Sequence, residues 1–301
     1  MQKPLSTADV PSQFLHAALL VGHTPLKALA SDPRVSYALY IPPEHYDTAS
    51  SPKKLPLLVW IHGTRRKMNT LYSNDMVSFA DSTPCAILAP LFPGGLDGPN
   101  DLHSYKTLRS ESLSSDLALL STLEEVAARW PGIDTDKVFM MGFSGGGQFT
   151  QRFLYLYPER LLAVSIGAPG RVSMLDSSKP WPEGIANVEG LFSRPVTTKS
   201  IQQVPIQLVV GSEDNYIHGG EEFWDWLRKM RTGEDQDQKS GDLSAMRQGR
   251  LQTLQELHTA WEAERISSQF TVVDGVSHEA EKMRPHMLQF LQPLIEAKYR
   301  K

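Results

Sequence analysis

Short apolar runs recur along this chain, and longer amphipathic stretches separate them. The runs cover residues 35–41, 55–61, 85–89, 137–141, 161–166, 205–210 and 269–273. Most are almost continuously apolar, the pattern of strands buried on both faces of a mostly parallel sheet. Residues 35–41 alternate as Tyr-Ala-Leu-Tyr and better suit an antiparallel edge strand. Between the runs, residues 112–130 place Leu113, Leu117, Leu120, Leu123, Val126 and Ala127 three or four apart, on one face of a helix. Strands alternating with helices predict an α/β fold, with right-handed crossovers and helices covering both faces.

Two segments break this rhythm. Residues 170–203 bear Pro, Ser and Trp with little periodicity, but Trp181, Ile185, Val188, Leu191 and Phe192 are too apolar a set for disorder. A loop this long inside a compact domain is usually functional. The segment therefore reads as a lid-like insertion, with Trp181, Leu191 and Phe192 as substrate contacts. Residues 219–268 hold a Trp-rich helix at 223–228, a charged linker at 232–241, and a long helix with Leu251, Leu254, Leu257 and Trp261. This second insertion reads as an extension of the outer helical layer rather than a cap. No internal repeat is present, and residues 1–301 are expected to form a single domain.

Composition narrows the class. At 301 residues and 41% hydrophobic, the chain can bury a sizeable core, and a net charge of −4 gives no basic excess for nucleic acid. No window approaches the ~20 apolar residues of a membrane span. The first apolar stretch, residues 14–21, contains His16 and lacks the flanks of a secretory signal. The single cysteine, Cys85, cannot form an internal disulfide and reads as a buried strand thiol. A cytoplasmic location is the expectation.

The chemistry is carried first by Gly142, Ser144 and Gly146, a Gly-x-Ser-x-Gly pattern between a predicted strand and a predicted helix. Such a strand-to-helix turn strains the backbone at the serine and exposes its hydroxyl. Gly145, Gly146 and Gly147 would each cost roughly 1 kcal/mol in a helix start without another purpose. Alone the pattern is weak. Its force comes from two further residues at predicted strand ends: Asp214, after the run 205–210, and His278, after the run 269–273. In a parallel sheet these loops share the carboxyl edge, where ligands bind. A serine hydroxyl needs a neutral imidazole to take its proton, and a carboxylate to orient that imidazole. Glu213 and Asp274 compete with Asp214 for the acid position, and His218 and His286 with His278.

A fourth element is the sequence Trp60, Ile61, His62, Gly63, Thr64 after an early strand. Its loop would bring the Thr64 amide near that of Gly145, giving two donors for a developing oxyanion. His62 then reads as a buried structural histidine.

Together these motifs resemble the α/β-hydrolase superfamily over nearly the whole chain, from about residue 35 to 294. The elbow around Ser144, the His62-Gly63 loop and the Ser, Asp, His chain order carry the likeness. Residues 58–63 with residues 142–147 are similar to the esterase branch that includes polyester depolymerases and feruloyl esterases. In overall style the chain also resembles intracellular hydrolases of fungal polyketide pathways. The resemblance implies Ser144 as nucleophile, His278 as general base and then acid, Asp214 as its partner, and Gly145 and Thr64 as oxyanion donors.

Arg65 and Arg66, directly after that loop, are placed to meet a substrate carboxylate, although a solvated pair is the commoner role. The turn-rich residues 90–100, with His103 and Tyr105 beyond, are candidates for a pocket wall. The nine histidines show no metal-ligand spacing, no dinucleotide fingerprint occurs, and no cofactor or metal is expected. The expected activity is serine hydrolysis of an ester, thioester or lactone of a medium-sized apolar metabolite, with a small molecule as the partner. The alternatives are acyl transfer, cyclisation or carbon–carbon chemistry at the same site, and a non-catalytic binding scaffold.

Overall fold

A computed structural model of the protein describes residues 5–47, 53–99, 101–215 and 249–300. The predicted Trp-rich helix at 223–228, the charged linker and His218 lie outside the described residues.

Nine strands form one sheet among the described residues: β1 (Gly22–His23), β2 (Lys27–Ala28), β3 (Ser36–Ile41), β4 (Leu55–Ile61), β5 (Ala86–Leu91), β6 (Ile133–Phe143), β7 (Leu161–Gly167), β8 (Ile206–Gly211) and β9 (Gln269–Val273). Their order is β1-β3-β5-β4-β6-β7-β8-β9, with β2 also paired to β3. From β5 through β9 every pairing is parallel. All residues of β4 and β8 are buried, which is what a continuously apolar run achieves when both faces of a strand are covered.

The run at 35–41 is antiparallel, as its alternation suggested, but it is not the edge. β1 and β2 pair along its outer side, so five of its six residues are buried. Two-residue strands have no periodicity to read, and pairing alone creates them.

Among the described residues the helices are α1 (Asn74–Ser82), α2 (Ser115–Arg129), α3 (Gly145–Leu156), α4 (Val188–Phe192), α5 (Thr198–Ile201), α6 (Arg250–Ala263) and α7 (Ala280–Arg300). β7 touches both α3 and α7, and nearly all its side chains are buried, so these helices lie on opposite faces. On one face, Arg284 of α7 donates to Asp75 of α1 at 2.5 Å. On the other, the Trp261 indole of α6 donates to the Tyr155 hydroxyl of α3 at 2.8 Å. Cys85 is a buried thiol immediately before β5, and burial pushes its pKa up.

Register decides where the loops emerge. Ile61 pairs with Gly142, Phe143 with Gly167, Gly167 with Val209, and Gly211 with Val273. Five parallel strands therefore end nearly level, and the loops beginning at His62, Ser144, Ala168, Ser212 and Asp274 leave the same edge.

Candidate active site

At this carboxyl edge β6 turns into α3 through Ser144, whose backbone sits at φ 58° and ψ −114°. A non-glycine residue held there carries strain of roughly 1–3 kcal/mol, which persists only where surrounding structure enforces it. The enforcement is visible. Ser144 N–H donates to Gly167 O at 2.8 Å, and Gln148 N–H returns to Ser144 O at 3.1 Å. The flanking glycines allow the close approach: a Cβ on Gly146 would lie 2.1 Å from Ile61 O, and one on Gly142 2.3 Å from Gly146 O. The three glycines thus serve strand–helix proximity, not flexibility.

His278 and Asp214 arrive from the loops after β9 and β8. The His278 Nδ1–H donates to Asp214 Oδ2 at 2.7 Å, a bond that leaves Nε2 as the free lone pair. The imidazole stacks on the Phe143 ring, 4.6 Å between centroids, which brings it beside Ser144. No direct hydrogen bond joins Ser144 to His278 among the described residues. Glu213 and Asp274 make no such bond to His278, and His286 lies in α7, where its carbonyl accepts from Gln207 Nε2 of β8 at 3.3 Å.

The other Asp214 oxygen, Oδ1, accepts from Arg250 Nη1 at 2.9 Å. Asp214 is 1% exposed, so its charge is held between the imidazole and this guanidinium rather than by water. Arg250 opens α6, and the Arg250 N–H donates to Asp214 O at 3.0 Å. Sequence reasoning missed this residue. It lies 36 positions from its partner, inside a segment read only as outer-layer helix.

On the opposite side of the elbow, the Thr64 amide nitrogen lies 2.9 Å from where a Gly145 Cβ would be. The Thr64 and Gly145 amides are therefore neighbours. Their loop is pinned throughout. The Tyr105 hydroxyl donates to His62 O at 3.1 Å, and His62 donates from Nδ1 to Gly63 O while its Nε2 accepts from Phe92 N–H. Burial holds His62 down at about 4, so the ring is neutral. Arg66 gives its guanidinium to three carbonyls, Phe92, Thr64 and Pro93, at 2.8–3.0 Å. Three of its five donors tie two loops together. Arg65 is exposed.

Trp181 and Phe192 pack against each other at 5.2 Å, and the Trp181 indole donates to Thr107 O. Both are buried, whereas Leu191 is exposed and offers its carbonyl to Arg109. The segment 170–203 is anchored on α3 through Ser173, which is bonded by Gln151, Arg152 and Tyr155. A surface hollow bounded by Gln207, Gln269, Thr271, His286 and Phe290 lies where β8 and β9 begin, away from Ser144. Among the described residues no group of three His, Cys, Asp or Glu side chains is arranged to hold a metal, and no helix is long and apolar enough to cross a membrane.

The mostly parallel sheet, the strained serine elbow and the strand-end loops define the α/β-hydrolase fold. Solved structures agree on that fold. The chain is similar to LpqC, a poly(3-hydroxybutyrate) depolymerase from Bordetella parapertussis, at 20% identity and a TM-score of 0.62, covering 91% of this chain and 90% of that one. It is similar to poly(aspartic acid) hydrolase-1 from Sphingomonas sp. KT-1 at 16% identity and a TM-score of 0.61, covering 85% and 92%. The siderophore hydrolase EstB from Aspergillus nidulans aligns at 14% identity and a TM-score of 0.54, covering 91% and 94%. No family model matches the sequence, and no curated protein matches it.

Proposed function

We propose that this chain is a serine hydrolase that cleaves a carboxylic ester, thioester or lactone through an acyl-enzyme intermediate. The observation that carries the reading is the His278–Asp214 bond at 2.7 Å beside a serine held at positive φ. That bond leaves His278 Nε2 as the base. Ser144 Oγ attacks the carbonyl as its proton passes to Nε2, and the Gly145 and Thr64 amides receive the charge that develops on oxygen. The tetrahedral species collapses, the leaving oxygen or sulfur takes the proton from His278, and water repeats the sequence to release the acid. Proton transfer requires Ser144 and His278 to close on each other, and such bonds commonly tighten only with substrate bound.

Arg250 keeps the Asp214 carboxylate in place without entering the reaction, and Arg66 and Tyr105 keep the oxyanion loop in place. The kinship in fold with esterases and depolymerases supports the reaction class, while the substrate rests on this chain's own residues.

The test is labelling by a fluorophosphonate. The protein should be modified at Ser144, and the Ser144→Ala and His278→Ala variants should remain folded and unlabelled while p-nitrophenyl ester turnover falls on the order of 10⁴-fold or more. A folded wild-type protein that neither labels nor turns over esters would exclude the reading.

A further inference from the structure

Lys106 is a buried amine that the hydrolytic sequence does not use. It sits in a short turn after β5, is 2% exposed, and its Cε lies 2.8 Å from where a Gly145 Cβ would stand. Its ammonium therefore belongs to the surroundings of the oxyanion amides. The single hydrogen bond it makes among the described residues is donated to His103 Nδ1 at 2.9 Å. Its other N–H groups have no acceptor among the described residues, and an ammonium buried this deeply is costly unless something answers it.

The neighbourhood is strongly positive. Among the described residues, the charges of Arg66, Arg152 and Arg171 act on Lys106 to lower its pKa, and the Asp101 carboxylate acts to raise it. Asp101 spends Oδ1 on the amides of His103 and Ser104. Arg152 is fully enclosed and bonded to neutral oxygens of Lys106, Gln148 and Ser173. Burial and these cations bring Lys106 down to about 7 and Arg152 to about 9. Burial and the same charges bring His103 to about 4, so it faces Lys106 as a neutral acceptor.

From this geometry we infer that Lys106, with the charges of Arg171 and Arg66 behind it, receives a carboxylate carried on the acyl portion of the substrate, making hemiesters of short dicarboxylic acids the preferred class. The assignment to the acyl side follows from topology. Lys106, His103 and Arg66 come from loops after β4 and β5, on one side of β6, while His278 comes from beyond β9 on the other. The leaving group must face His278 to take its proton. The acyl chain is the part left to run toward Lys106. This inference rests on the serine hydrolase reading and extends it.

The full chain is assayed with monomethyl succinate, glutarate and adipate, with neutral methyl esters of matching acyl length, and with an acetate ester whose alcohol bears the carboxylate. Fluorophosphonate labelling is run in parallel. For one acyl-anionic ester, kcat/KM should exceed that of its neutral counterpart by roughly 10- to 100-fold. That ratio should fall toward one in Lys106→Met and less steeply in Arg171→Gln. It should also decline between pH 6 and 9 in the wild-type protein, because Lys106, brought to about 7, loses its proton across that range, while His103 and Asp101, at about 4 and about 2, do not change state there and Arg152, at about 9, begins to lose charge only at its upper end and in the same direction. His278 acts equally on both esters and cancels in the ratio. The pH arm needs no variant, so it stands if Lys106→Met fails to fold. Turnover of neutral esters with a ratio at or below one would overturn the inference and leave the hydrolase reading intact. A preference for the carboxylate on the alcohol would overturn the acyl-side assignment. Absent labelling with no turnover of any ester would remove both.

Discussion

The two flanks of the serine elbow handle charge in opposite ways. On the His278 flank, both oxygens of Asp214 are matched, one to the imidazole and one to Arg250, and the carboxylate is almost wholly buried. On the Thr64 flank, Arg66 and Arg152 satisfy their donors on neutral oxygens, and Lys106 leans on a neutral histidine. A matched buried charge holds a geometry. An unmatched cluster of one sign creates a field that favours an incoming ion of the other sign. In the proposed reaction the first flank orients a base, and the second receives an anion from outside.

Changes on either flank should separate these roles. The largest effect is expected for Asp214→Asn, which removes the acceptor that sets the His278 tautomer. Turnover should fall on the order of 10³- to 10⁴-fold in steady-state ester hydrolysis, with labelling of Ser144 slowed in parallel. A small effect would mean that another carboxylate orients the imidazole.

Arg250→Met comes next. It takes away the guanidinium paired with the buried Asp214 and leaves the carboxylate with the His278 imidazole alone, and denaturant unfolding should show a loss of about 3 kcal/mol. Arg250→Lys should recover part of it. Because Arg250 is assigned to positioning, kcat should suffer far less than in Asp214→Asn. Equal losses would place Arg250 in the chemistry.

The smallest effect is expected for Arg66→Lys. An ammonium cannot reach the Phe92, Thr64 and Pro93 carbonyls with the planar fork that a guanidinium provides. A stability loss of about 1–2 kcal/mol is expected, since two of three hydrogen bonds go. Substrate-charge preference should survive, because the positive charge does. If the preference instead disappears with Arg66→Lys, the guanidinium itself rather than Lys106 meets the carboxylate.

How much of this site could be read along the chain depended on how local each signal was. Ser144, Asp214 and His278 each directly follow or lie a few residues past an apolar run, so strand endings and chain order sufficed to bring them to one edge. The Thr64–Gly145 neighbourhood was legible for the same reason. The pair Arg65 and Arg66 could be read as a carboxylate site or, more commonly, as a solvated face; only the fold shows three Arg66 donors on carbonyls and Arg65 on the surface. Trp181 and Phe192 were visible as apolar residues in an irregular segment. Only their packing onto the loop at 105–109 shows what they touch.

Periodicity, glycine placement and strand-end chemistry are encoded within short windows, and from them the amino-acid sequence alone determined the α/β architecture and the placing of Ser144, Asp214 and His278 at one edge of the sheet. The tertiary structure decided what depends on distance through space. Arg250 reaches Asp214 because α6 begins against the Asp214 carbonyl, and Lys106 is one more surface-type residue until the fold removes its water. Desolvation and long-range pairing belong to the packed molecule, and no window along the chain contains them.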